Sequence, residues 1–209
     1  MLKPGLILIG AGGHACSCID VIEQQAKYSI AGLVGFAEQR HSKLLGYEIF
    51  ATDSDLDDLR RTFSIAVITI GQIKTADSRK RLYQRAESLG FVLPTIVSPT
   101  AYVSRHANIG AGTIVMHGAI VNAGAQVGRN CIINTNSLIE HDATIGDHCH
   151  ISTGAILNGG VHVGSGSFIG SGSVIKEGVA VGKECIVGLG VKLHQSLMND
   201  EQRTNRSQS

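Results

Sequence analysis

The sequence predicts an α/β N-terminal half followed by a parallel β-helix. Two observations support this prediction. From Leu6 to Gly90, short apolar runs alternate with segments of helical periodicity, a pattern typical of a small parallel sheet flanked by helices. From Val103 onward, large aliphatic residues recur at every sixth position, which is the period of a parallel β-helix.

The N-terminal half contains predicted strands and helices in alternation. The strands are expected at 6–10, 28–36 and 63–71, and the helices at 14–27, 54–61 and 76–90. This order indicates a Rossmann-like, doubly wound sheet. The segment Phe91–Thr100 contains two prolines and marks the end of this half. We therefore expect one domain at 1–97, a β-helix at 98–194 and a polar tail at 195–209, which we expect to be disordered.

The six-residue period is uninterrupted over the second half. Every large position is valine, isoleucine or leucine: Val103, Ile109, Val115, Val121, Val127, Ile133, Ile139, Ile145, Ile151, Leu157, Val163, Ile169, Ile175, Val181, Val187 and Leu193. Four residues after each of them stands a small side chain, as at Ala119, Cys131 and Ser137. One large and one small inward residue per short strand makes three faces of six residues, so 103–193 form about five triangular coils.

Composition and charge exclude several classes of protein. The net charge of +1 gives no reason to expect nucleic acid or an anionic membrane surface as a partner. Because no apolar run is long enough to span a membrane and the N-terminus lacks a signal-peptide pattern, we expect a cytoplasmic protein. The five cysteines lack a CxxC pair and are interpreted as reduced thiols. A metal site is not expected, because His148 and His150 have no third ligand at matching spacing.

Stacking of successive coils places a histidine beside a glycine. In an eighteen-residue coil, residues i and i+18 are neighbours, so His141 is predicted to lie under Gly159. The missing side chain leaves room for a substrate and can expose a backbone N–H to a developing oxyanion. The same spacing stacks Asn122 with Glu140 and Asn158, and Asn134 with Ser152. Solvated histidines at β-helix corners are the alternative interpretation.

A glycine-rich loop precedes the first predicted helix. Gly10, Gly12 and Ala15 match G-x-G-x-x-A, a motif that holds phosphate with backbone amides at a helix N-terminus. Alone, the motif does not distinguish a dinucleotide from another nucleotide.

Together, the opening GAGGHA, the run NTNSLIEHD and the run HISTGAILNGG resemble the hexapeptide-repeat sugar acetyltransferases of bacteria. That group includes the UDP-4-amino-sugar N-acetyltransferases of bacillosamine synthesis and the sialic acid O-acetyltransferases. The resemblance covers the whole chain. It implies a left-handed β-helix, a homotrimer, and acetyl-CoA bound between neighbouring subunits.

The resemblance also implies roles for individual residues. His141 would be the catalytic base and Asp142 its orienting acid. The other implied contacts fall into two sets, with acetyl-CoA at His150, Gly159, Ser171 and Glu177, and with the UDP-sugar at Gly12, Gly13, His14, Glu38, Gln39, Gly71 and Asn134. Relatives carry an aspartate-bearing run where this chain has GFAEQ, and they leave the last coil through a proline-containing turn that this chain lacks.

The leading hypothesis is an acetyl-CoA-dependent N-acetyltransferase acting on the 4-amino group of a UDP-4-amino-4,6-dideoxy-N-acetylhexosamine. O-acetylation of sialic acid and N-acetylation of a dTDP-amino sugar are the enzymatic alternatives. A nucleotide-sensing trimeric scaffold is the alternative from another class. A dinucleotide-dependent oxidoreductase is disfavoured, because the β-helix offers no hydride-transfer site.

Overall fold

The computed structural model describes residues 3–205 and contains the two predicted halves. In the N-terminal half the elements are β1 (Gly5–Ile9), α1 (Gly13–Gln25), β2 (Ser29–Val34), β3 (Lys43–Leu44), β4 (Tyr47–Ala51), α2 (Leu56–Thr62), β5 (Ala66–Ile68) and α3 (Asp77–Ser88), with 3-10 turns at Ala37–Gln39 and Asp53–Asp55. The sheet order is β3-β4-β2-β1-β5. All pairs are parallel except β3 with β4. The predicted Rossmann-like class is confirmed, although the β3–β4 hairpin was not predicted.

Every predicted element of this half is present, with bounds that differ at the ends. The strand expected at 63–71 is limited to Ala66–Ile68, after which one more backbone hydrogen bond, from the Thr69 N–H to the Ile9 carbonyl, ends the contact with β1. The helix expected at 54–61 begins as a 3-10 turn, in which Asp55 accepts hydrogen bonds from the backbone and hydroxyl of Thr52. These differences lie at element ends, where side chains of the loop compete with the regular ladder.

The second half is a three-sided β-helix built from two-residue parallel strands. Face 1 consists of Ile96–Val97, Ile114–Val115, Ile132–Ile133, His150–Ile151, Phe168–Ile169, Ile186–Val187 and Gln202–Arg203. Face 2 consists of Tyr102–Val103, Ile120–Val121, Leu138–Ile139, Ile156–Leu157, Val174–Ile175 and Lys192–Leu193. Face 3 consists of Asn108–Ile109, Gln126–Val127, Thr144–Ile145, His162–Val163 and Ala180–Val181.

The predicted coil register is confirmed by the strand pairing. Ile120 pairs with Leu138 and Leu138 with Ile156, so residues eighteen apart are neighbours. The predicted large and small positions fill one continuous core. The cysteines on this inner column are free thiols, as expected, and the thiols of Cys131 and Cys149 donate to the carbonyls of Gly146 and Gly164.

The expected disorder of the tail is wrong for residues 195–205. Leu197 is buried and forms a bridge with Val181, and Gln202–Arg203 adds a strand to face 1. The physical reason is that the last coil would otherwise expose its inward aliphatic residues, and Leu197 covers them. The part of the tail expectation that concerns 206–209 lies outside the described residues.

Face 1 carries the N-terminal half. Ile114, Met116 and Ile132 share one buried cluster with α1, and α3 packs along the corner between faces 3 and 1. Ion pairs Lys80–Glu184 and Arg129–Glu87 fasten that corner. A helix of sufficient length and apolarity to cross a membrane is absent from residues 3–205.

Candidate active site

His141 lies on the corner between faces 2 and 3. Its Nδ1 is 2.9 Å from Oδ2 of Asp142, and its side chain is 66% exposed. Because a carboxylate only accepts, Nδ1 carries the proton and Nε2 is left with a free lone pair facing solvent. The hydrogen bond that His141 donates to Asp142 raises the pKa of His141 above its ordinary value of 6.5. This is the orientation and basicity that a general base needs.

Gly159 lies directly over the imidazole of His141, as predicted. A Cβ built on Gly159 would come within 2.7 Å of both Cε1 and Nε2, so only glycine leaves the ring in place. The coils are joined here by a 3.0 Å hydrogen bond from the Gly160 N–H to the His141 carbonyl. Within residues 3–205 the Gly159 N–H donates no hydrogen bond, so it can polarise a carbonyl held beside His141. Glu177 is exposed on the next corner of the same column.

Asp142 occupies a backbone conformation that favours glycine. Its φ is +60°, and the equivalent corners of the flanking coils are Gly124 and Gly160, with φ of +78° and +65°. A non-glycine residue in this region costs about 1 kcal/mol. In this column, a non-glycine residue therefore takes the strained conformation at Asp142, where its carboxylate accepts the hydrogen bond from His141.

Glu140 and Asn122 form a polar contact below His141. Nδ2 of Asn122 donates to Oε2 of Glu140 over 3.0 Å, and the His141 N–H donates to the same oxygen. Asn158, predicted to continue this ladder, donates instead to the Ile175 carbonyl. The ladder therefore has two members, and it fixes the backbone of the histidine.

A separate cavity of about 570 Å³ opens at the carboxyl ends of β1, β2 and β5. Of the predicted substrate residues, Gly12, Gly13, His14, Gln39 and Gly71 line it. Gly12 is the N-cap of α1 and provides no side chain, which leaves the first-turn N–H groups available to an anion. Glu38 does not line the cavity and is exposed, because the 3-10 turn directs Gln39 inward, where its amide spans Phe36 and Ala11.

The cavity has polar and aromatic lining residues that the sequence interpretation missed. They are Phe36, Asp53, Lys74, Ser78 and Arg81. Arg81 belongs to α3, the helix that carries the basic run DSRKRLYQR. The sequence shows only that Arg81 precedes two apolar residues, Leu82 and Tyr83, which are buried. It does not reveal that Arg81 lines a cavity, because the segments that form the cavity are far apart in the sequence.

His14 turns its ring toward the interior between the cavity and the β-helix. Burial, reinforced by the positive charge of Arg79, lowers the pKa of His14 to about 3. Its Nε2 is buried without a hydrogen-bond partner among residues 3–205. His14 is therefore neutral at physiological pH.

His150 joins the cavity loop to face 1. Its Nδ1 is 2.6 Å from the carbonyl oxygen of Gln72, and its Nε2 is 3.1 Å from Nδ2 of Asn134. The Gln72 carbonyl requires Nδ1 to be the donor, so Nε2 accepts from Asn134. Burial lowers the pKa of His150 to about 4. The two predicted residues His150 and Asn134 thus lie together, and both nitrogens of His150 are engaged within the chain.

A shallower groove of about 470 Å³ extends the cavity along face 1. It is lined by Phe168, Ser171, Ile186 and Leu189, and it shares Ile73 and Lys74 with the first cavity. Ser171, a predicted acetyl-CoA contact, donates to or accepts from Ser152 over 2.8 Å.

The predicted site residues therefore form two groups on one chain. His141, Asp142, Gly159 and Glu177 lie on the corner between faces 2 and 3. The cavity, the groove, His150 and Asn134 lie on face 1 or at its borders. In a three-sided coil that corner is opposite face 1, so one chain does not bring the two groups together. A grouping of three or more His, Cys, Asp or Glu able to hold a metal ion is absent from the part of the chain that the structure describes.

A β-helix of hexapeptide repeats, with a histidine–aspartate pair under a bare glycine and a nucleotide-sized cavity, defines an acyltransferase of the hexapeptide class. Family comparisons agree with this class. Residues 5–86 match the PglD N-terminal domain, residues 124–159 and 142–177 match the bacterial transferase hexapeptide, and residues 160–195 match the hexapeptide repeat of succinyl-transferase. Among curated proteins, a sequence search finds no match.

Two of the solved structures similar to this chain are acetyltransferases. A histidine-to-asparagine mutant of perosamine N-acetyltransferase from Caulobacter crescentus, in complex with CoA and GDP-perosamine, is 32% identical with a TM-score of 0.90, over 95% of this chain and 92% of that one. The acetyltransferase domain of PglB from Neisseria gonorrhoeae, in complex with acetyl coenzyme A, is 28% identical with a TM-score of 0.88, over 96% and 95%. This chain belongs to the hexapeptide-repeat sugar N-acetyltransferases, whose acetyl donor is acetyl-CoA.

Proposed function

We propose that this enzyme transfers the acetyl group of acetyl-CoA to the 4-amino group of a nucleotide-linked 4-amino-4,6-dideoxy sugar. The observation that carries the proposal is the imidazole of His141, held by Asp142 and covered by Gly159. The match of residues 5–86 to the PglD N-terminal domain favours a UDP-linked acceptor of the bacillosamine type. The 32% identical relative was crystallised with GDP-perosamine, so a GDP-linked acceptor is the second candidate.

The corner residues account for the chemistry of acetyl transfer. The sugar amine attacks the thioester carbonyl carbon, and the Gly159 N–H stabilises the negative charge on the carbonyl oxygen. Nε2 of His141 takes the proton from the attacking nitrogen. The C–S bond then breaks, and the same proton passes to the leaving CoA sulfur. Asp142 stabilises the imidazolium that exists between these two steps.

The reaction requires His141 of one copy to meet the cavity of another. Within one chain the corner of His141 is opposite the face that carries the cavity and the groove. Five of the six outward residues of face 2 are apolar, namely Tyr102, Ile120, Leu138, Ile156 and Val174, and the sixth is Lys192 in the last coil, whereas those of face 3 are mostly polar. An unpartnered aliphatic face beside the catalytic corner fits a homotrimer with sites between subunits.

The thiols support a proposed cytoplasmic location. All five cysteines are free, and four of them are buried. Free thiols are maintained in reducing compartments.

The test is acetyl transfer by the purified enzyme to a panel of acceptors. Acetyl-CoA would be supplied with UDP-4-amino-4,6-dideoxy-N-acetylglucosamine, GDP-perosamine, a dTDP-4-amino sugar, and sialic acid, and CoA release would be measured. We expect turnover on a nucleotide-linked amine that falls by about 10² or more in His141→Ala, in line with the loss of a general base. Turnover on sialic acid alone would transfer the assignment to O-acetylation. Nucleotide binding without turnover on any acceptor would favour the sensing scaffold.

A further inference from the structure

We propose that Phe36 and Asp53 form the nucleobase-reading pair of this enzyme, and that they select bases with a ring N–H. The inference rests on the proposed function, because it assigns the base of the nucleotide-linked acceptor. Both residues line the 570 Å³ cavity, and neither belongs to the glycine-rich loop at its phosphate-binding end.

Phe36 is an exposed aromatic ring at the cavity wall. The residue is 76% exposed, although it closely follows the buried end of β2. The backbone under it is fixed, because the Phe36 N–H donates to Oε1 of Gln39 over 3.0 Å. When a flat ligand covers a large apolar ring at the edge of a cavity, apolar surface is removed from water, and this stabilises the bound state. Base–aromatic stacking has this effect with every nucleobase.

Asp53 lies at the same edge of the sheet. The Gly35 N–H donates to the Ala51 carbonyl over 2.9 Å, which joins the loop after β2 to the loop after β4. These loops carry Phe36 and Asp53 respectively. The Asp53 carboxylate is exposed and makes no hydrogen bond or ion pair with any residue in 3–205. It is therefore an acceptor available to a ligand.

The charges of the cavity define the direction in which a nucleotide would lie. Lys74 and Arg81 also line it, without an ion-pair partner among the described residues, and they accompany the uncapped N-terminus of α1. A diphosphate belongs with these cations and N–H groups. The base then extends to the edge formed by β2 and β4, and the sugar extends toward Ile73, where the cavity meets the groove.

A carboxylate reads a base by accepting hydrogen bonds. Uracil and thymine offer N3–H, and guanine offers N1–H beside its amino group. Cytosine and adenine place a ring lone pair beside their amino group, and that lone pair repels a carboxylate. Asp53 should therefore favour uracil, thymine and guanine over cytosine and adenine.

The experiment is calorimetric titration of the full-length enzyme with UDP, dTDP, GDP, CDP and ADP. We expect the first three to bind about tenfold or more tightly than the last two, the size of one good base-edge contact. Asp53→Ala should remove this preference by weakening only the first three. Phe36→Ala should weaken all five about 5-fold or more, and Phe36→Tyr should restore binding. Glu38→Ala, which removes a nearby exposed carboxylate outside the cavity, is the matched control.

Three results would overturn the inference. The first is equal affinity for all five nucleotides, and the second is unchanged affinities in Phe36→Ala. The third is an equal loss of affinity for all five in Asp53→Ala, which would indicate that Asp53 contacts the ribose. Binding with the expected preference but no acetyl transfer would reject the proposed function and leave this inference standing. Acetyl transfer by an enzyme that binds none of the five nucleotides would reject this inference and leave the proposed acetyltransferase activity standing.

Discussion

The α-carbon of Gly159 faces the imidazole of His141 so closely that a Cβ would lie 2.7 Å from Cε1 and Nε2. Gly159→Ala should therefore displace the ring and lower kcat by about tenfold or more, because the base must lie within hydrogen-bond reach of its proton. The far end of a side chain can move, so the free energy of unfolding should change little.

Gly160→Ala is the matched control for this change. Nothing lies within 4 Å of a Cβ at Gly160, but its φ is +65°. An alanine there should destabilise the fold by about 1 kcal/mol and retain activity. Kinetics and urea unfolding of both variants check the pair. Full activity in Gly159→Ala would show that the close approach is unimportant.

Asp142 should determine the acidic limb of the pH–rate profile. The hydrogen bond to Asp142 raises the pKa of His141, and the base works only when deprotonated. Asp142→Asn removes the charge, so the pKa of His141 falls and the acidic limb of kcat/KM moves to lower pH, while the maximal rate also falls because the base is weaker. Glu140→Gln, a smaller contributor to the same pKa, should give a smaller shift in the same direction. Identical limbs in the native enzyme and Asp142→Asn would contradict this assignment.

The rule that residues eighteen apart are neighbours predicted the contact of His141 with Gly159 from the sequence. It works because the β-helix repeats without an insertion, so that one period fixes every stacked pair. The same rule did not predict the hydrogen bond of Asn158, whose side-chain amide donates to the Ile175 carbonyl and not to Glu140. It also could not indicate that Leu197 would close the last coil.

The cavity was less predictable, because its walls come from separate loops. A local motif identified the glycine-rich loop, and the family resemblance implied Gly12, Gly13 and His14, whereas Phe36, Asp53 and Lys74 meet only after the sheet has formed. The helix DSRKRLYQR shows the limit most clearly. Its basic residues look equivalent in sequence, yet Arg79 is fully buried and Arg81 lines the cavity.

Arg79 and Arg81 should therefore respond to substitution in opposite ways. The guanidinium of Arg79 donates to the carbonyls of Ile68, Ile70 and Asn130. Arg79→Met would leave these partly buried acceptors unpaired and should reduce the free energy of unfolding by about 3 kcal/mol or more. Arg81→Met should leave stability nearly unchanged and raise KM for the nucleotide sugar about tenfold, with no change in KM for acetyl-CoA. Urea unfolding and steady-state kinetics separate the two, and equal destabilisation by both would refute the distinction.

His150 should make the enzyme less stable in mild acid. Its folded pKa of about 4 is depressed from the unfolded value of 6.5, so the unfolded chain takes up a proton that the folded chain refuses. The free energy of unfolding should fall as pH drops from about 6.5 to 4, by on the order of 3 kcal/mol from this group. His14, with a pKa of about 3, contributes in the same direction. His150→Gln should flatten the dependence in denaturant titrations at several pH values, with His162→Gln on face 3 as the control. An unchanged slope in His150→Gln would exclude this role.

Catalysis between copies predicts that two inactive variants restore activity when mixed. His141→Ala lacks the base and keeps the cavity, whereas Lys74→Glu/Arg81→Glu loses the cavity cations and keeps the base. If each site pairs the cavity of one copy with the corner of its neighbour, random mixing after unfolding and refolding at 1:1 should recover about a quarter of native activity. A mixture as inactive as its components would show that both groups act within one chain.

Face 2 provides the control for this complementation, because it is the aliphatic surface proposed to join the copies. Ile120→Lys introduced into both inactive variants places a charge on a half-exposed apolar strand and should prevent assembly, since an unpaired charge is not tolerated in an apolar interface. Sedimentation should then show smaller particles, and mixing should restore nothing. Gln126→Lys at the equivalent position of face 3 should leave both assembly and complementation intact, because that side chain is already polar and exposed. Complementation that survives Ile120→Lys would place the interface on another face.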